Sequence, residues 1–93
     1  MADIMTPALG ESVTEATFER EVLTAQTPVA IFFMSTWSNP WKVMEPDVAT
    51  LATELEGKVK VVKIDTDRSP GLAREFQLKS IPALAVIAQG RVA

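Results

Sequence analysis

The sequence predicts an α/β fold in which a mixed sheet lies between layers of helix. Three observations carry the prediction. Strand-length segments rich in apolar residues stand at 29–34, 59–64 (with Lys60 and Lys63 within it) and 83–87. Segments of helical character separate them, so long crossovers are expected to make these first strands parallel. A two-residue Gln89–Gly90 turn then folds a last strand back antiparallel.

Taken in order, Met1–Gly10 is broken by Pro7 and Gly10 and reads as a loose arm or short edge strand. We therefore expect an N-terminal arm at 1–11 and a single domain at 12–93. Ser12-Val13-Thr14-Glu15 has capping-box spacing, with Thr14 as a second cap candidate. Phe18, Val22 and Leu23 follow on one face of an amphipathic helix expected to end near Gln26, ahead of Pro28. Val29–Met34 is continuously apolar, as a central buried strand would be.

Pro40 suits the first turn of a helix, with Ser38 or Asn39 as its cap. That helix is expected to reach Glu56 and to stop at Gly57, with Val43, Val48, Leu51, Ala52 and Leu55 as its apolar stripe. Pro46 should kink it. Val59–Ile64 is a second strand, and a loop from Asp65 to Pro70 leads into a short helix over 70–76. Ser80-Ile81-Pro82 is extended because the residue before proline avoids the helical region. Ala83–Ile87 and Arg91–Ala93 complete the sheet.

With 93 residues, 47% of them hydrophobic and 23% charged, the chain is a globular domain. A chain this short buries about 60–65% of its unfolded surface, so its core is thin. A net charge of −3 argues against non-specific nucleic-acid binding. No apolar run is long enough to span a bilayer, and no basic leader marks a secretory signal, so a cytoplasmic protein is expected.

The sequence contains no Cys, His or Tyr. Thiolate nucleophiles, thiolate metal sites and imidazole general bases are therefore excluded from this stretch of chain. Asp65 and Asp67 are an i, i+2 carboxylate pair that reads as a solvated turn, so no metal site and no cofactor are expected.

The stretch Trp37-Ser38-Asn39-Pro40-Trp41-Lys42, with Pro46 beyond it, resembles the thioredoxin family, which carries W-C-G-P-C-K after its central strand. Val61–Asp65 with Ser69-Pro70, then Ser80-Ile81-Pro82, then Gln89–Val92, match later motifs of that family in order. The resemblance covers about Ser12 to Ala93. It implies a three-layer thioredoxin-like sandwich with a mixed sheet, here lacking the last helix. It also implies a cis bond at Ile81–Pro82.

The departures bear on function. Ser38 and Trp41 stand where the family has its two cysteines, Phe32 where it has a buried Asp, and Ala83 where a polar residue follows the cis-proline. Dithiol exchange needs one thiolate to attack and a second thiol to resolve the mixed disulfide, and neither a hydroxyl nor an indole does this. Thr6–Thr17 also resembles the opening of lipoyl domains of 2-oxo-acid dehydrogenase acyltransferases, without their lipoylated hairpin. A fused or recombined leader, or coincidence, explains it.

The expected function is a redox-inactive thioredoxin-like module that binds protein or peptide, in a chaperone-like role. Its expected surface is Trp37, Trp41, Ile81 and Pro82, beside the former active-site positions Trp37, Ser38, Asn39, Pro40 and Trp41. Ser38 is expected to cap a helix and Lys63 to snorkel to solvent. The alternative reading of Trp41 is packing filler. The alternative for the whole is a recombined, engineered or truncated chain with no ligand of its own, self-associating through an uncovered sheet face, or an oxidoreductase by family label alone.

Overall fold

The computed structural model describes residues 12–92. A π-helical turn, Glu19–Leu23, leads to β1 (Val29–Met34), α1 (Asn39–Glu54), β2 (Lys60–Asp65), α2 (Pro70–Glu75), β3 (Ala83–Ala88) and β4 (Arg91–Val92). The four strands lie in the order β2-β1-β3-β4. The expected arm at 1–11 lies outside the described residues.

β1 is the central strand, and both of its faces are apolar. Val29, Ile31 and Phe33 join Val13, Val22, Val62, Ile64, Leu72 and Ile87 on one face. Phe32 and Met34 join Trp41, Val48, Ala52 and Val61 on the other. A two-faced burial of this kind requires an unbroken apolar run, and the run sets the strand limits.

β1 and β2 are parallel, with Val29 opposite Lys60 and Met34 opposite Asp65. β3, expected to be parallel, is antiparallel to β1, with Phe33 opposite Ala83 and Val29 opposite Ile87. The reason is length. A helix of six residues rises only about 9 Å, too little to carry the chain back along a strand of about 20 Å. β3 therefore starts at the end where β2 stops. Gln89 and Gly90 both have positive φ in the β3–β4 turn, as a two-residue hairpin of primed type requires.

The first helical segment is also corrected. Ser12 does not cap it; it bridges to Lys63 at the outer edge of β2, and the Val13 N–H donates to the Lys63 carbonyl at 2.9 Å. Thr14 does not cap it either: its N–H donates to Thr17 Oγ1 at 3.0 Å in the turn ahead of the helix, whose N-cap position is Phe18, with no side-chain cap bond. The segment then winds as a π-helix closed by the Thr24 N–H on the Glu19 carbonyl. Val22 is buried, whereas Leu23 is exposed.

α1 begins with Ser38 in extended geometry and runs through Pro46 to Glu54. Its buried stripe is phased by Trp41, not by Val43. Trp41, Val48 and Ala52 face the sheet, with Met44 and Leu55 beside them, while Val43 and Leu51 are exposed. Gly57, at φ +86°, turns the chain away after the helix.

Candidate functional site

The topology gathers three loops at one end of the sheet. β1 and β2 end there and β3 begins there, because Met34 is opposite Asp65 and Phe33 opposite Ala83. The loops are the Ser35–Ser38 turn, the Thr66–Ser69 loop and the Ser80–Pro82 approach to β3. The Thr66 N–H donates to the Met34 carbonyl at 2.9 Å and fixes the second loop against the first. The Ile81–Pro82 peptide bond is cis, as the family resemblance implies.

Asp67 ties the site together. Its Oδ2 accepts from the buried Ser35 hydroxyl at 2.8 Å and from the Trp37 indole N–H at 2.7 Å. Asp65 Oδ1 in turn accepts the Asp67 N–H at 2.9 Å, which sets the turn that presents Asp67. Charge-assisted bonds of this kind are the stronger class. They fix one edge of the Trp37 ring and leave the side chain 66% exposed. Sequence reasoning treated Asp65 and Asp67 as solvated turn residues. A carboxylate pair in the loop next to a Trp-bearing turn was the available signal.

Trp37 lines an open groove of about 460 Å³ with Thr66, Ala73, Leu78, Lys79 and Ile81. Trp37 and Ile81 are thus brought together, with Pro82 half-buried directly behind Ile81. Trp41 is not part of this surface. It is 1% exposed and lies on the opposite side of the sheet, its ring 6.2 Å from that of Phe32. Four residues on along a helix whose first turn caps the sheet, its side chain points into the core instead of the groove. The filler reading therefore holds, and its indole Nε1 has no hydrogen-bond partner.

Ser38 is buried, and its Oγ accepts from the Trp41 N–H at 3.3 Å. It is the helix cap. Asn39 and Pro40 are exposed residues of the first turn of α1. Lys63 neither lies free nor reaches only water. Its Nζ pairs with Glu45 Oε2 at 3.3 Å, and Glu45 comes from α1. A carboxylate from the helix thus meets the lysine that stands opposite Phe32 in the sheet.

Among the described residues, no group of three or more His, Cys, Asp or Glu is placed to hold a metal ion. No described helix is long and apolar enough to cross a membrane.

A central β1 flanked by a parallel β2 and an antiparallel β3, with a helix springing from the Trp37 turn and a cis-proline facing it, defines a thioredoxin-fold protein. Comparison with known proteins agrees. The thioredoxin family model matches residues 10–93. The chain is 39% identical over 79 residues to thioredoxin 1 of Nostoc sp., covering 85% of this chain and 74% of that protein. It is 40% identical over 78 residues to thioredoxin of Porphyra purpurea, covering 84% and 73%. It is also 35% identical over 91 residues to a bifunctional thioredoxin reductase/thioredoxin of Mycobacterium leprae, covering 98% of this chain and 20% of that one. The chain belongs to the thioredoxin family.

Proposed function

We propose that this chain is a redox-inactive member of the family that binds extended polypeptide in the groove between Trp37 and Ile81. The single observation that supports this most is the anchored, exposed Trp37: a large ring held by Asp67 at 2.7 Å and open to solvent at the mouth of a groove. A fixed aromatic surface loses little side-chain freedom when a partner lands on it. The absence of cysteine from the sequence removes the thiol chemistry that the fold would otherwise support. Binding is then what remains for the groove, in a cytoplasmic, chaperone-like role.

The test is titration of a reduced, carboxymethylated model polypeptide against the full chain. Binding is expected to perturb the fluorescence of Trp37, to be abolished by Trp37→Ala, and to weaken in Asp67→Asn. An unchanged affinity in Trp37→Ala overturns the reading. A parallel assay of insulin-disulfide reduction should show no rate above buffer; a genuine rate overturns the redox-inactive half of the proposal.

A further inference from the structure

We propose that the Trp37 groove selects acidic partners: an extended segment that sets an apolar side chain on Trp37 and, two residues away, a carboxylate on Lys79. This rests on the groove taking extended polypeptide, and it names the class of segment taken. Lys79 is the one ionisable residue among those lining the groove. Trp37, Ala73, Leu78 and Ile81 make the rest of the wall mainly apolar. Lys79 is exposed and, among the described residues, enters no ion pair. Lys60 and Lys63 differ, because Glu21 and Glu45 already hold them. A cation without a partner on an apolar wall is complemented by an acid carried beside an apolar side chain.

Asp67 sets which end of the groove takes the acid. Its carboxylate holds the Trp37 indole at 2.7 Å, so an incoming carboxylate at the Trp37 end meets a like charge, which is unfavourable. The apolar side chain therefore lies on Trp37 and the acid at Lys79. In an extended segment, side chains at i and i+2 share a face and stand about 7 Å apart. One short segment thus presents both to the groove. The chain as a whole carries a net charge of −3, and long-range attraction alone would favour basic segments. A preference for acids has to be made by contact at Lys79, which separates it from any effect of overall charge.

The experiment uses the full chain and two synthetic peptides of opposite order, Thr-Ser-Leu-Thr-Glu-Ser-Thr and Thr-Ser-Glu-Thr-Leu-Ser-Thr, each with counterparts in which Gln or Lys replaces the Glu. Affinities are read from the anisotropy of a fluorescent label on the peptide, so that variants lacking Trp37 are measured in the same way. In the better-bound order, the Glu peptide is expected to bind about two- to fivefold more tightly than the Gln peptide at low salt, and the Lys peptide more weakly than either. Added salt should shrink these differences. Lys79→Glu should reverse the ranking. Lys58→Glu makes the same change in net charge just ahead of β2, whose other end reaches the site, and should leave the ranking as it was. Equal binding of the three peptides, tighter binding of the Lys peptide, or a Glu preference that survives Lys79→Glu overturns the proposal. If Trp37→Ala still abolishes binding in those cases, the groove stands as a peptide site without acidic selectivity. Binding that persists in Trp37→Ala, or binding of no peptide, overturns both readings.

Discussion

The two faces of the sheet are covered by different means. One lies under α1, a single sixteen-residue helix whose Trp41, Val48 and Ala52 contact it. The other lies under two short pieces, the five-residue π-helical turn and the six-residue α2. Helices that short do not persist alone, so they depend on packing and on tethers to the sheet. The tethers are visible. Lys60 of β2 reaches Glu21 Oε1 at 2.7 Å and the Glu21 carbonyl at 2.8 Å. Phe76 packs between Phe18 and Phe33, with ring centroids 6.0 and 4.9 Å away. One face is thus held by a continuous apolar stripe, the other by a few discrete contacts.

The stripe predicts the largest effect. Trp41→Ala removes the largest fully buried side chain and should cost about 3–5 kcal/mol, a large part of the stability of a domain this size. Trp41→Phe should cost less than half as much, because it keeps an aromatic ring against Phe32 and deletes a buried donor that has no acceptor. Trp37→Ala, at the exposed end of the same turn, should change stability by about 1 kcal/mol or less. Urea unfolding of the three variants tests the ordering. Equal losses at Trp37 and Trp41 would contradict the division between groove and core.

A smaller effect is expected at the start of the same helix. Ser38→Ala leaves the Trp41 N–H without its side-chain acceptor and should cost about 1 kcal/mol. Ser38→Asp keeps an acceptor at the cap and should recover most of that loss, as thermal unfolding can show.

Sequence reasoning succeeded where a single physical cause dominates. β1 matches its apolar run at both ends, because burial on two faces allows no polar residue within it. β2 begins one residue later than expected, because the Val59 N–H is taken by the Leu55 carbonyl at the end of α1. The expected stripe of α1 was right at Val48, Ala52 and Leu55, which pack on the sheet, and wrong at Val43 and Leu51, which are exposed; it left out Trp41, whose binding and filler readings local pattern does not separate. The direction of β3 depends on how far α2 travels, which periodicity does not report. At the site, Trp37 with Ile81 was legible through the family motif. The Asp67 anchor was not, because it joins residues thirty apart in the chain, and the Asp65/Asp67 pair by itself reads equally well as a solvated turn.

The tethered face predicts the smallest effect, and one with a pH signature. The Glu21 carboxyl is held below its ordinary value of 4.5, first by its hydrogen bond from Lys60 and then by that from Arg20. A carboxyl with a lowered folded pKa contributes stability that is fully present above its unfolded value and is lost as the pH falls through the folded one. Lys60 and Glu21 are part-exposed, with side chains 35% and 18% accessible, so the pair is worth about 1 kcal/mol or less. Glu21→Gln should therefore lower stability slightly at neutral pH, and the two proteins should converge as the solution is acidified below 4.5. Chemical unfolding at neutral and acid pH measures the gap. A gap that is absent at neutral pH, or that does not change on acidification, would mean that the π-helical turn is held to β2 without help from the Glu21 charge, and the contrast between the two faces would lose its electrostatic half.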